Sequence, residues 1–209
     1  MTGALRSLLD LGLGRRCLGC EASGLVWCDA CLHAVTDLHV RTSPGGLVVR
    51  AGARYQGEVA RAVVAHKEHG QLSLVRPLAR LLVAAMGQPR GVTIVSVPSR
   101  AAAVRARGQD HARRLARRAA VLCHGQAVTP LRWARSAADQ ADLGVVGRRR
   151  NVAGAMLARG HPASGEVWLI DDIMTSGATL DEASRALEAG GWQVTGAAVV
   201  ASVDARRPT

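Results

Sequence analysis

The sequence predicts an α/β protein, an open parallel sheet flanked by helices, with a small four-cysteine module at its N-terminus. Three observations carry this. Short β-branched apolar runs alternate with segments whose apolar residues recur at helical spacing. Residues 166–170 are apolar after the first position, as a strand buried on both faces requires. Four of the five cysteines form two Cys-x-x-Cys pairs within residues 17–31. The expected division places the cysteine module at residues 1–44 and the sheet domain at 45–209, with the turn-rich Ser43-Pro44-Gly45-Gly46 at the junction.

In the module, Cys17-Leu18-Gly19-Cys20 and Cys28-Asp29-Ala30-Cys31 are separated by seven residues. Each turn presents two thiolates to one tetrahedral ion, so the spacing predicts a structural Zn²⁺ on Cys17, Cys20, Cys28 and Cys31. With four thiolates there is no position left for substrate, and His33 is not needed as a ligand. Cys123 reads as a lone buried thiol.

Farther along, residues 47–53 read as a strand and residues 57–70 and 73–86 as helices. Residues 92–97 form a β-branched strand that stops at Pro98, and 107–122 one basic amphipathic helix. Residues 132–150 lack a clean period and predict a long functional loop. A helix at 180–189, stopped by Gly190-Gly191, and a strand at 193–203 complete the alternation.

The chain of 209 residues is 48% hydrophobic but has no Phe, so Ala, Val and Leu must build its core. Arginine heavily outnumbers lysine, and the net charge of +11 predicts attraction to polyanions unless it reflects composition alone. No apolar run reaches the ~20 residues of a membrane span. The first apolar stretch is interrupted by Arg6 and Asp10, unlike a secretory leader. Cytoplasm is therefore expected, without membrane insertion, and paired cysteines there favour metal over disulfides.

The most informative segment is Val167-Trp168-Leu169-Ile170-Asp171-Asp172-Ile173-Met174-Thr175-Ser176-Gly177-Ala178-Thr179-Leu180. A buried strand ends on two acids, expected to face solvent, and a short hydroxyl- and glycine-bearing loop leads into a helix. Ligands of open α/β sheets sit outside strand carboxyl ends, and a helix N-terminus favours anions. Thr175, Ser176 and Thr179 with the amides of Gly177 and Ala178 suit a phosphate monoester. Two carboxylates beside such a cradle make sense if the ligand also carries hydroxyls or a cation. A ribose 5-phosphate unit with Mg²⁺ satisfies both. No Gly-Lys-Ser/Thr follows, which disfavours a nucleotide-hydrolysing P-loop.

This segment resembles the signature of type I phosphoribosyltransferases, and nearly the whole chain is similar to the ComF family of competence-linked proteins. The resemblance extends through both cysteine pairs, Tyr55-Gln56-Gly57, Lys67, Val97-Pro98-Ser99-Arg100, Arg107-Gly108-Gln109, Arg135, Gln140, Leu143 and residues 148–151. Where the family has Thr-Pro-Pro, this chain has Ala137-Ala138-Asp139. Trp168 is bulkier than usual in the signature strand, consistent with packing. The resemblance implies a type I phosphoribosyltransferase-like fold that binds phosphoribosyl pyrophosphate. Ser99, Arg100 and Arg107 would face pyrophosphate, and Lys67 would join the ligand site. Asp171, Asp172, Arg135, Gln140, Arg148 and Asn151 would be the reacting-centre residues.

Two function classes follow. One is a transferase moving the phosphoribosyl group to an acceptor. The other is a non-catalytic, ligand-regulated protein handling single-stranded DNA alongside competence machinery. Arg100, Arg105, Arg107, Arg113, Arg114, Arg117 and Arg118 form a basic stretch able to track phosphates. The chain lacks the aromatic platforms usual in single-strand binders. No acceptor-activating base stands out: His66, His69, His111 and His124 read as surface or capping residues.

Overall fold

The computed structural model describes residues 16–134, 152–160 and 166–203. The main sheet has six strands: β1 (His39–Thr42), β2 (Val48–Arg54), β8 (Gln193–Ser202), β7 (Glu166–Met174), β3 (Thr93–Ser96) and β4 (Gln126–Val128), in that spatial order. All neighbours run parallel except the edge pair β1–β2. A separate hairpin pairs β5 (Leu131–Trp133) with β6 (Met156–Ala158). The helices are α1 (Asp29–Val35), α2 (Gly57–His69), α3 (Val75–Met86), α4 (Ala101–Arg107), α5 (His111–Leu122) and α6 (Ala178–Ala189). A 3₁₀ turn at Leu72–Leu74 precedes α3.

Helices cover both faces, so the central strands must be apolar at successive positions. On one face Val59 and Ala62 of α2, Leu78 and Leu82 of α3, and Leu115 and Ala119 of α5 pack on Ile94, Ile170, Ala198 and Val200. On the other, Leu180, Ala183 and Leu187 of α6 join Leu131 and Met156 of the hairpin on Val95, Leu169, Ala197 and Val199. Cys17, Trp27 and Leu32 share the first core, so the cysteine segment packs on the α2–α3 layer. Residues 39–42, within the stretch expected to form the cysteine module, supply the edge strand β1.

Three expectations are corrected. The helix expected over residues 107–122 begins only at His111: Arg107 is the last residue of a separate helix, α4, which stops at Gly108 in the left-handed region, and Asp110 caps α5 by accepting the Arg113 amide. The signature strand does not stop at residue 170 but runs to Met174, because the ten-residue β8 pairs with it as far as Met174–Ser202. Residues 131–133, at the start of the expected loop, form β5; the rest of that loop lies outside the described residues apart from Ala134.

Strand lengths place the site. β3 follows β7 only to the Ser96–Ile170 pair, so Asp171 onward is paired by β8 alone and open on its other flank. After β3 the chain turns outward to β4, and after β7 it turns the opposite way to β8. Such a divergence leaves a crevice at the strand ends, where open α/β sheets bind ligands.

Candidate functional site

A 320 Å³ cavity occupies this crevice, lined among others by Lys67, Ser99, Arg100, Arg107, Asp171, Asp172, Thr175 and Thr179. The segment after β3, the end of β7 and the turn after it, the first turn of α6, α4 and the end of α2 thus deliver eight of the expected residues to one place. Three are cations and two are acids, which suits an anionic ligand. Ser176 and Gly177 do not line the cavity, and buried Ala178 borders a different one of 530 Å³. Gly177 has φ +82, and a Cβ there would meet the Ser43 Cβ at 2.8 Å. Only glycine makes this turn so close to the β1–β2 connection. The Ser99 hydroxyl donates to Asp110 at 3.1 Å, and Arg100 stacks 4.9 Å from the Trp133 ring centroid. Arg135, Gln140, Arg148 and Asn151 lie outside the described residues.

The two acids differ sharply. Asp172 is not solvent-facing, being only 5% exposed. Its Oδ1 accepts the Ile173 amide at 2.8 Å, and its Oδ2 lies 2.9 Å from Lys67 Nζ and 3.3 Å from His111 Nε2. Burial opposes ionisation, but the His111 hydrogen bond and the Lys67 charge outweigh it and hold Asp172 well below the usual carboxylate range. Asp171 Oδ1 accepts the Asp172 amide at 2.8 Å, and the group otherwise borders the cavity. Burial and then the neighbouring Asp172 push Asp171 well above the usual range. Lys67 is raised, because the charge of Asp172 overcomes the opposing effect of burial.

His111 was not distinguished from a surface histidine by sequence, yet it is 5% exposed and lines the cavity. An Arg107 guanidinium N–H lies 3.1 Å from its Nδ1. A guanidinium only donates, so Nδ1 accepts and the ring proton resides on Nε2, aimed at Asp172. Arg107 Nε is 3.7 Å from Glu68, completing a chain from α2 through α4 and α5 to β7. The sequence cue was Gly108-Gln109-Asp110, a helix stop followed by a cap, which puts His111 in the first turn of a new helix. His66, behind His111 at 6.3 Å between ring centroids, is 1% exposed, and burial lowers its pKa. His69 and His124 are exposed, as expected.

Lys67 carried a second cue in plain view: it is the only lysine of the 209-residue chain.

The sulfur atoms of Cys17, Cys20, Cys28 and Cys31 all lie within 4.8 Å of one another, an arrangement able to hold a metal such as zinc. Cys20 and Cys28 sulfurs are 3.9 Å apart, close to the roughly 3.8 Å edge of a tetrahedron with Zn–S bonds of about 2.3 Å. The Cys28 amide holds the buried Cys17 thiol down to about 6, while hydrogen bonding with Cys28 and Cys20 pushes Cys31 up to about 12. Thiols crowded this way cannot all ionise unless a cation balances them. Gly19 is required by close approach, since a Cβ there would sit 2.8 Å from the Cys31 sulfur. Cys123 is buried at 1% exposure, and burial raises its pKa.

No protein-family model and no curated protein sequence matches the chain. Among solved structures it is similar to an adenine phosphoribosyltransferase at 14% identity and TM-score 0.37, covering 83% of this chain and 89% of that one. It is also similar to adenine phosphoribosyltransferase from Rhodothermus marinus, at 15% identity and TM-score 0.36 over 80% and 84% of the two chains.

The opposite environments of the acids give opposite stability effects. A depressed carboxylate contributes stability above its unfolded value of about 3.9 and loses it as pH falls below that; a raised one costs stability as pH rises above it. At pH 7 Asp171→Asn should therefore raise the thermal midpoint and Asp172→Asn lower it. The Asp172 loss should fall toward the low end of the roughly 3–5 kcal/mol for breaking a buried pair, because Lys67 retains 31% side-chain exposure. The Asp171 effect should vanish as pH drops below about 4, whereas the Asp172 effect should persist there and fade only at lower pH, as Asp172 itself is protonated. Thermal unfolding with equal effects for both would contradict this assignment.

Proposed function

We propose that this chain is a type I phosphoribosyltransferase-like protein that binds phosphoribosyl pyrophosphate with Mg²⁺ and transfers the phosphoribosyl group to an acceptor nucleophile. The observation that carries the reading is the convergence on one crevice of Thr175 and Thr179, Asp171, and the cations Lys67, Arg100 and Arg107. Thr175 and Thr179, at the start of α6, are assigned to the 5-phosphate, with the Ser176, Gly177 and Ala178 amides behind them. Asp171 is assigned to the ribose diol. Ser99, Arg100 and Arg107 face the pyrophosphate. Arg135, Gln140, Arg148 and Asn151 are assigned to the reacting centre on the ComF resemblance alone.

The acids present fit one Mg²⁺, which binds through few carboxylate and ligand oxygens and keeps its waters. Asp171 borders the cavity and is the residue to hold it, whereas Asp172 is committed to Lys67 and His111. When bound, the ion neutralises charge on the departing pyrophosphate. Both ring nitrogens of His111 are engaged, so it is not free as a base, and the acceptor must already be nucleophilic. Titration calorimetry should show phosphoribosyl pyrophosphate binding that requires Mg²⁺ and is lost in Asp171→Asn. Undiminished affinity in that variant, or no binding by the unmodified protein, sinks the reading.

For the cysteine cluster we propose one structural Zn²⁺ on Cys17, Cys20, Cys28 and Cys31. Elemental analysis of protein purified without chelators should give one zinc per chain, lost in the Cys17→Ser, Cys28→Ser double variant. A zinc-free wild-type protein rejects the assignment.

A second reading, electrostatic handling of single-stranded DNA in a competence-type process, is favoured by the exposed Arg105, Arg113 and Arg117, the last two one turn apart on α5. Arg114 is instead bonded to Gln109, and Arg118 is half-buried. Arg113→Gln with Arg117→Gln should weaken DNA binding and flatten its salt dependence by about 1.4 in log–log slope. Phosphoribosyl pyrophosphate affinity should stay unchanged. Absence of DNA binding at low salt would remove this second reading.

A further inference from the structure

Arginine fills 26 positions of this chain and lysine one, and that one reaches the cavity from the last turn of α2. In such a composition, a site that merely needed positive charge would hold arginine. The local geometry explains the exception. A guanidinium pairs best with both oxygens of a carboxylate, through two parallel N–H bonds. At Asp172 both oxygens already have a neighbour, which crowds a two-pronged approach. Its Oδ1 is taken by the Ile173 amide at 2.8 Å, and its Oδ2 already has His111 Nε2 at 3.3 Å. What fits beside that single oxygen is a compact point charge, and Lys67 Nζ sits there at 2.9 Å. An ammonium has three donors. Lys67 is ion-paired with Asp172, lines the cavity and keeps 31% of its side chain exposed.

We propose that Lys67 is the resident cation of the site, neutralising Asp172 from within the protein and turning its remaining N–H bonds to the anionic ligand. It is thereby specificity-determining: Lys67 occupies Asp172, so one carboxylate, Asp171, is left to meet a metal ion. Without Lys67 the two acids would form an ordinary dicarboxylate cation site, and the cavity would favour free divalent metal over a metal–ligand complex. The ligand part of this inference rests on the proposed function, but the metal part does not.

The test compares wild type with Lys67→Met, Lys67→Gln and Lys67→Arg, using Mn²⁺ alone as one probe and inorganic pyrophosphate with Mg²⁺ as the other. Loss of the ammonium should let Mn²⁺ bind without any other ligand, at least about tenfold tighter than in wild type. This is followed by Mn²⁺ electron paramagnetic resonance and by a metal-dependent rise in thermal midpoint. Lys67→Gln serves if Lys67→Met does not fold. Pyrophosphate affinity should fall about tenfold or more in all three variants, Lys67→Arg included, as expected for loss of a charge-assisted bond. Unchanged Mn²⁺ affinity in both neutral variants overturns the resident-cation role. Wild-type pyrophosphate binding by Lys67→Arg overturns the requirement for a point charge. If wild type binds no pyrophosphate, the functional reading fails while the Mn²⁺ comparison still decides the role of Lys67.

Discussion

A carboxylate that is only 5% exposed remains an anion only if the fold brings cations and N–H groups to it, and Asp172 obtains them from three separate elements. Lys67 comes from the end of α2, His111 from the first turn of α5, and the Ile173 amide from its own strand. None of the three is local to the signature loop in sequence except the last. The pairing therefore fixes how α2 and α5 end above β7, and those ends form a wall of the cavity. His111 extends the same constraint to Arg107, the last residue of a helix with no buried residue of its own. The aim of that guanidinium thus comes from Asp172 through an imidazole tautomer, with Glu68 of α2 at its other side.

The sheet supplies what this network cannot. β8 is long enough to hold β7 to Met174, whereas β3 releases it after Ile170. Equal strand lengths would have left the two acids either sheathed between neighbours or loose in a loop. The unequal lengths keep their backbone rigid on one edge and open on the other. Asp171 then sits where burial and a neighbouring anion both resist its ionisation. A hydroxyl donor or a cation placed against Asp171 would relieve that resistance, which is the environment expected of a binding carboxylate.

The α/β class, the helices at α2, α3 and α6, and the cysteine cluster were legible because each rests on a local period or spacing. The strand carrying Asp171-Asp172 was legible for the same reason, although its end at Met174 was not. What the sequence hid is non-local. Strands β4, β5 and β6, three residues each, are too short to show alternation and exist through pairing. The distinction between Asp171 and Asp172, adjacent and chemically identical, depends on which one a helix 105 positions earlier in the chain can reach, and no local pattern carries that. His111 was obscured by starting the helix at residue 107, where a glycine stop and an aspartate cap delay its first turn to His111. Trp168 was read as packing, and it packs on the first core and beside Arg50, 5.8 Å from its ring centroid.

The cysteine segment connects to the same network through packing. Arg61 of α2 donates to the Leu18 carbonyl at 3.4 Å, and Arg80 of α3 pairs with Asp29 at the start of α1. Cys17, Trp27 and Leu32 are buried in the core that holds Val59, Ala62 and Val63 of α2. A segment this short has too little apolar surface to fold on its own, and thiolate–metal bonds are the usual replacement for a missing core. The segment packs against α2 through the same core that holds α2 on the sheet. Because Lys67 stands in the last turn of that helix, any loosening of α2 is felt at Asp172. A metal on those four cysteines would leave no open coordination position, so any effect on the cavity would pass through how firmly it holds the helix that carries the chain's one lysine.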